Sequence, residues 1–366
     1  MRGRNFLSEF MQENYLAIVS QPRDLDATFR QGNVIIEELI EELDRISMER
    51  IFLTGCGDSL FVSEIGKFAF EEFVGIPVEA VPALELARYR KLDRDCVVIG
   101  SSASGHTSRT IEAVRKAKSK GAHIIGVTNE ISGILAQLSD WILLSRCSSP
   151  LGKSPSKTST TALLLIFMLA VRLGERRHKI GKGKNEQLMN QLKNLPNIVE
   201  KVIKNNEIRI IETTKALKDR ENFHFIGGGP SLGVANLGAA KIKELSLGLA
   251  EAVELEEFCH YQILVVDKDE PVVLVLPPGA SYDRGLEVLE GLNKVGARIL
   301  AVSDDDKSMK KNTFVTFEIK GDLKEVFLSI PYVVPLQLLA YHLSVQKGRN
   351  PTWFREPHAS AIRIGE

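Results

Sequence analysis

The chain lacks an excess of charge of either sign. Its 366 residues carry 47 Lys plus Arg against 47 Asp plus Glu. No global field draws it to nucleic acid or to an anionic membrane, so an anionic ligand needs a local site. Cysteine is sparse: Cys56, Cys96, Cys147 and Cys259 are scattered with no CxxC spacing. That distribution offers neither a disulfide framework nor a metal site, and it fits a reduced, cytoplasmic compartment. Long hydrophobic runs are missing too. The longest, ALLLIFMLAV at 162–171, is about half the length of a membrane span and reads as a buried helix. The opening segment MRGRNFLSEFMQENY contains acidic residues and no apolar core of a signal peptide. These absences argue against a membrane or nucleic-acid partner.

What is present is an ordinary globular composition, 44% hydrophobic and 26% charged, long enough for two domains. Residues 5–46 show helical periodicity (Phe6, Leu7, Phe10, Met11, then Val34, Ile35, Leu39, Ile40, Leu43), interrupted by QPRDL at 21–25. From residue 50 onward short apolar runs alternate with helical segments. RIFLTG, DCVVIG, HIIGVTN and DWILLS read as strands and TIEAVRKAKSKGA as a helix. Such alternation predicts a doubly wound parallel sheet. The pattern then restarts. TGCGDSLFVSEIGKFAFEE at 54–72 aligns without a gap on IGGGPSLGVANLGAAKIKE at 226–244, and KGAHIIGVT at 120–128 recurs as VGARILAVS at 295–303. A period this long means two copies of one domain rather than a solenoid. The expected fold class is α/β, with two tandem doubly wound domains flanked by helices. The expected division is an N-terminal helical arm at 1–46, a first domain at 47–175, a linker helix at 176–205 and a second domain at 206–366. The basic stretch RRHKIGKGKNEQ at 176–187 reads as a solvated linker.

Chemistry-bearing residues gather where strands hand over to helices. SSASGHTSRT at 101–110 lies between the run CVVIG and a helix, where open parallel sheets bind ligands. The helix N-terminus offers free N–H groups to an anion, Gly105 permits close backbone approach, and Ser102, Ser104 and Thr107 add hydroxyls. One such residue would suffice to cap a helix; Ser101, Ser102, Ser104 and Thr107 together favour a phosphate cradle that needs no Lys or Arg. GCGDSL at 55–60 lacks the third Gly of a dinucleotide fingerprint, since Leu60 stands there, and it lacks a P-loop lysine. Ser59 beyond that turn is placed to reach the same ligand. In KSPSKTSTT, residues Ser156 and Lys157 at a helix start are either substrate contacts or part of a cap with an exposed Lys. In the second copy, LGAAKIKELSLGLAEA reads as a helix with Lys241 and Glu244 on one partly buried face, beside a space left by Gly248. They form either a proton-transfer pair or an ion pair. His260 follows in EEFCHY as a candidate acid/base. LPPGASYD at 276–283 stands where the first copy has its hydroxyl cradle, so the cradle is not duplicated.

These segments resemble the sugar isomerase (SIS) family, in particular the isomerase half of glutamine–fructose-6-phosphate aminotransferases and the glucosamine-6-phosphate deaminases. The resemblance rests on QENYLAIVSQP, GCGDS, SxSGxT at 102–107, SKTSTT, GAAKIKELSLGLAEAVELEEFCH and PLQLLAYHLSVQKG, in that order. It implies that Ser59, Ser102, Ser104 and Thr107 hold a sugar phosphate, with backbone offered by Ser102, Ala103 and Gly105. It also implies that Glu244 moves a proton between C1 and C2 of the open-chain sugar with Lys241 nearby. His260, supplied by a neighbouring subunit, would open the ring, which implies a homodimer with shared active sites and neither cofactor nor metal. Some positions depart from the family pattern. Ala103 and His106 replace the Gln and Glu of SQSGET, His260-Tyr261-Gln262 replaces HGP, and Ala361 or Ile362 falls where the family carries a C-terminal Lys. No Cys follows Met1 and no glutaminase segment is present, which implies free ammonia, a separate ammonia source, or the deaminase direction. The expected function is a phosphosugar isomerase or deaminase interconverting glucosamine 6-phosphate and fructose 6-phosphate. The alternatives are a fructosamine-phosphate deglycase and a sugar-phosphate sensor.

Overall fold

The computed structural model describes residues 13–147, 155–304 and 307–349. Two compact units result: Gln21–Pro196 in one, and residues 13–20 with 197–349 in the other.

The first unit is built on a parallel five-stranded sheet in the order β2-β1-β3-β4-β5. The apolar runs become β1 (Arg50–Gly55), β3 (Cys96–Ser101), β4 (His123–Thr128) and β5 (Trp141–Leu144). β3 is buried at every position and β1 at all but its first. That is the pattern of central strands covered on both faces. The edge strand β2 (Val78–Pro82) and the short helix α4 (Ala83–Tyr89) were not foreseen. In β2 only two of five positions are buried, so VEAVP carries too weak a signal. Helices α3 (Asp58–Phe73) and α5 (Ser108–Ser119) follow β1 and β3, and α6 (Ile134–Leu138) follows β4.

ALLLIFMLAV lies in α7 (Pro155–Arg176), where Leu163 through Val171 have no exposed surface. Helices α2 (Gln21–Leu43) and α3 cover it from two sides. Small residues allow the close approach: a Cβ at Gly66 would lie 2.7 Å from Ile166, and one at Gly174 would overlap the carbonyl oxygen of Phe73. The segment QPRDL does not interrupt a helix; it opens one. A short helix α1 is described over 13–19, the chain turns at Ser20, and α2 starts at Gln21. Pro22 thus sits in a first turn, where its missing N–H costs nothing.

The second unit repeats the topology, β7-β6-β8-β9-β10, again all parallel. Its strands are β6 (Asn222–Gly227), β7 (Leu249–Glu254), β8 (Pro271–Val275), β9 (Arg298–Ser303) and β10 (Val315–Glu318). Helix α9 (Pro230–Lys241) takes the place of α3, α11 (Tyr282–Val295) and α12 (Lys307–Asn312) follow β8 and β9, and the buried α13 (Glu325–Gln346) takes the place of α7. The repeat reaches the backbone. Gly57 before α3 has φ 57° and ψ −129°, and Gly229 before α9 has φ 54° and ψ −129°. Helices α7 and α13 contain windows apolar enough to cross a membrane, but those windows are 78% and 94% buried inside the fold.

The N-terminal region is helical, as expected, and its helices divide between the units. Residues 21–43 pack into the first unit, whereas 13–20 join the second, where the Tyr15 ring lies 5.5 Å from that of Tyr341. Burial, reinforced by Glu207, raises the Tyr15 hydroxyl to about 12. The linker differs from expectation. Only 177–181 separate α7 from α8 (Lys182–Leu217), a 36-residue helix with Pro196 inside it. Leu188, Leu192, Leu195, Val199 and Val202 recur at helical spacing and are buried, so the polar stretch continues as an amphipathic helix. The unit boundary falls at Pro196, where the ladder lacks a donor.

Replacing Gly174 by Ala sets a methyl against backbone and is expected to cost about 1–3 kcal/mol of stability in urea unfolding. Gly183→Ala, which meets nothing within 4 Å, is expected to be neutral or stabilising by about 0.5–1 kcal/mol.

Candidate active site

At the carboxyl edge of the first sheet the chain leaves β3 at Ser101. The Ser102 N–H still donates to the Val127 carbonyl (3.0 Å), and the Ala103 carbonyl accepts from Asn129 (3.2 Å). A turn then closes with Gly105 N–H on the Ser102 carbonyl at 3.1 Å. Gly105 has φ +69°, and a Cβ there would lie 3.1 Å from Gly133 Cα. Only glycine suits that combination. Thr107 occupies the cap position of α5 but makes no side-chain cap bond. Its hydroxyl pairs with that of Ser102 at 2.9 Å. Capping therefore does not explain the Ser/Thr cluster. The first-turn N–H groups of α5 have no cap from Thr107, and the dipole end favours an anion.

Ser59, Ser102 and Ala103 line a common small cavity of about 20 Å³, room for a water-sized group. Ser104 and Thr107 lie outside its lining, on the loop above it. Ala103, Ser104 and His106 are exposed, and the Ser104 hydroxyl accepts the His106 N–H at 3.2 Å. The wall opposite comes from Thr158, in the Ser/Thr cluster that opens α7, and from residues that sequence reasoning did not select: Thr128, Asn129 and Ser145 from the ends of β4 and β5, and Ser159 from α7. The signal was available, since a hydroxyl directly follows or ends each of the runs HIIGV and WILL.

Lys157 behaves differently from both readings of its motif. It is not exposed and does not line the cavity. Its ammonium lies 3.0 Å from the Asp24 carboxylate, and both side chains are 3% exposed. An ammonium buried to that degree requires a counter-charge, and α2 supplies it. Thr160 reinforces the contact by donating to Gln21 at 2.8 Å. The Cys147 Sγ lies 3.0 Å from the Thr161 hydroxyl, and burial pushes its thiol up to about 11. The side chain of Ser156 lies outside the described residues, as do positions 361 and 362.

In the second unit Lys241 ends α9 and Glu244 stands on a π-turn, Ile242–Ser246. Lys241 Nζ and Glu244 Oε2 are 2.5 Å apart; the lysine has no exposed surface and the glutamate is 26% exposed. One partner is sunk in the fold and the other reaches its surface. The helix expected to continue through LGLAEA stops here. Leu247 takes a left-handed conformation at φ 54°, and LAEAVE is β7. A Cβ at Gly248 would first meet the Glu221 carbonyl, Ile242 and the Ser246 hydroxyl. π-Turns and left-handed non-glycine residues cost energy and concentrate at functional positions. His260 closes α10 (Leu255–His260), is 65% exposed, and lies 3.9 Å from Glu256.

The loop that replaces the cradle in this unit holds a carboxylate of the chain itself. Glu325 accepts the Ala280 N–H at 3.0 Å, and a Cβ at Gly279 would overlap it. That carboxylate belongs to the first residue of α13. Among the described residues no three His, Cys, Asp or Glu side chains gather as a metal site.

Residues 46–172 and 216–347 each match the sequence profile of the SIS domain. Glutamine–fructose-6-phosphate aminotransferase [isomerizing] of Pyrococcus horikoshii is 32% identical over 338 residues, 91% of this chain and 55% of that protein. Its namesake from Thermococcus kodakarensis is 31% identical, with the same coverage. The chain thus spans about half the length of the curated relatives it matches. Among solved structures, the C-terminal domain of glucosamine-fructose-6-phosphate aminotransferase from Francisella tularensis superimposes with a TM-score of 0.83. It shares 24% identity and covers 92% of this chain and 96% of its own. Glucosamine-6-phosphate deaminase from Thermotoga maritima gives 0.71 at 22% identity, covering 93% of this chain and 96% of its own.

Removing the partner of a buried lysine leaves an uncompensated charge. Asp24→Ala is expected to cost about 3–5 kcal/mol in urea unfolding; a loss below about 1 kcal/mol would contradict the pairing. Cys147 is expected to resist iodoacetamide at pH 8 in the folded protein and to react once it is unfolded, because only the thiolate is nucleophilic.

Proposed function

The chain belongs to the SIS-domain family, and on that footing we propose that it is a phosphosugar isomerase or deaminase interconverting glucosamine 6-phosphate and fructose 6-phosphate. The observation that carries the proposal is the Ser102–Thr107 hydroxyl pair, which leaves α5 without a side-chain cap beside a cluster of further hydroxyls. The names of the aminotransferase relatives and of the deaminase neighbour supply the sugars.

In this reading Ser59, Ser102, Ser104 and Thr107 hydrogen-bond the phosphate, and the Gly105 turn brings backbone alongside. Glu244 as carboxylate takes the proton from C2 of the open-chain amino aldose and returns it to C1, while a second proton passes from the C2 amine to the C1 oxygen, giving the C2 imine of the ketose with no net change in protons. Lys241 fixes and counterbalances that carboxylate from inside the fold. His260, exposed at a helix end, opens the ring from a second copy of the chain. Hydrolysis of the C2 imine releases ammonia in the deaminase direction; the reverse takes free ammonia or ammonia from a separate source. The four free thiols accord with a reduced compartment.

A second reading is favoured by Ala103 and His106, which are exposed on the cradle loop. They replace the family's Gln and Glu, and they suit a substrate with a bulkier amine, a fructosamine phosphate. Release of a free amine or amino acid instead of ammonia distinguishes it.

With glucosamine 6-phosphate as substrate, ammonia and fructose 6-phosphate are expected in equal amounts. Glu244→Gln is expected to lower kcat by about 100-fold or more with little change in KM; full activity in that variant contradicts the mechanism. Ser102→Ala is expected to raise KM by roughly tenfold, the loss of one charge-assisted hydrogen bond.

A further inference from the structure

Ser101 and Ser145 end the floor of the first unit's cavity, one at the tip of β3 and the other directly after β5. Both are almost fully buried, at 2% and 3% exposure. Neither hydroxyl oxygen has a hydrogen-bond partner among the described residues. Two neighbouring polar groups are engaged elsewhere. Ser102 pairs with Thr107, and Thr128 Oγ1 accepts the Glu130 N–H at 3.1 Å. Burying one hydroxyl without a partner is unfavourable. Two such groups lining one water-sized space, below a loop built to take an anion, make a receptor for a single oxygen atom.

We propose that Ser101 and Ser145 form an oxyanion well beneath the cradle, into which one phosphate oxygen descends while the others stay with Ser102, Thr107 and the loop. The inference rests on the phosphate reading of that loop and extends it to two residues. Ser145 lies outside the Ser102–Thr107 motif altogether. The well selects for a tetrahedral oxyanion, because a planar carboxylate on the loop has no third oxygen to send down. It also explains why two hydroxyls are kept where alanine would pack without an unpaired group. The ligand, and not the resting fold, supplies their hydrogen bonds.

The test uses the full chain and two probes, inorganic phosphate and fructose 6-phosphate, with calorimetric Kd and thermal unfolding on wild type, Ser101→Ala, Ser145→Ala, the double variant and Ser102→Ala. Each single variant is expected to bind both probes about tenfold more weakly and the double variant about a hundredfold, as the loss of bonds to a charged group implies. The ligand-free Tm is expected to stay level or rise, since each substitution removes an unpaired buried group. The phosphate-induced rise in Tm is expected to shrink. If the double variant binds within twofold of wild type while Ser102→Ala binds weakly, the well is overturned and the cradle stands. If the ligand-free Tm falls and phosphate affinity is unchanged, the hydroxyls serve the resting fold and the well is again overturned. If wild type binds neither probe, both the well and the cradle are overturned.

Discussion

The candidate site depends on one close contact between two glycines. Gly105 is left-handed, and its Cα faces Gly133 so closely that a Cβ on either would meet the other's Cα at about 3 Å (3.1 and 2.9 Å). The Leu135 N–H donates to the Gly105 carbonyl at 2.9 Å, so the loop after β3 is clamped to the start of α6 beyond β4. With the loop held there, Ser102 stays buried and meets Thr107, and α5 begins without a side-chain cap. A side chain at either glycine would lift the loop from the sheet. The hydroxyls would then no longer converge.

The two copies of one scaffold differ where their candidate residues lie. The turn before the first helix of each copy keeps the same backbone, at Gly57 and Gly229. The loop after the third strand does not. It carries the paired Ser102 and Thr107 hydroxyls in one copy, and in the other it receives the Glu325 carboxylate. The second copy instead departs from regular geometry at the end of α9, where a π-turn and a left-handed leucine bring Glu244 onto the buried Lys241. Two unpaired buried hydroxyls lie by the loop after β3, and a buried ammonium and a left-handed leucine lie by Glu244. The cores under both sheets are apolar by contrast. Such a distribution is what a folded scaffold carrying a reactive site requires.

Much of the fold was legible because central strands of a parallel sheet are apolar on both faces. RIFLTG and DCVVIG show this without any periodicity argument. The repeat was legible from aligned glycines that hold positive φ in both copies. The hydroxyl cluster after β3 was legible from composition, since Ser101, Ser102, Ser104 and Thr107 exceed what a cap needs. Other features were not. α7 is buried all round, so its sequence gives no phase, and nothing local shows that Lys157 points to Asp24 while Ser159 points to the cavity. LGLAEA follows a genuine helix and contains good helix formers; its strand state is imposed by pairing with β6. Glu325 reaches Ala280 across 45 residues, a contact that only the folded chain brings about.

The central claim is that this chain holds a phosphosugar by its hydroxyl loop and moves a proton between adjacent sugar carbons with Glu244. Exchange in heavy water tests it most directly. Fructose 6-phosphate incubated with the protein in D2O, without ammonia, is predicted to gain deuterium at C1 as the carboxylate removes and returns that proton. The exchange is predicted to vanish in Glu244→Gln while binding persists. Binding of fructose 6-phosphate with no deuterium entering C1 would contradict the claim.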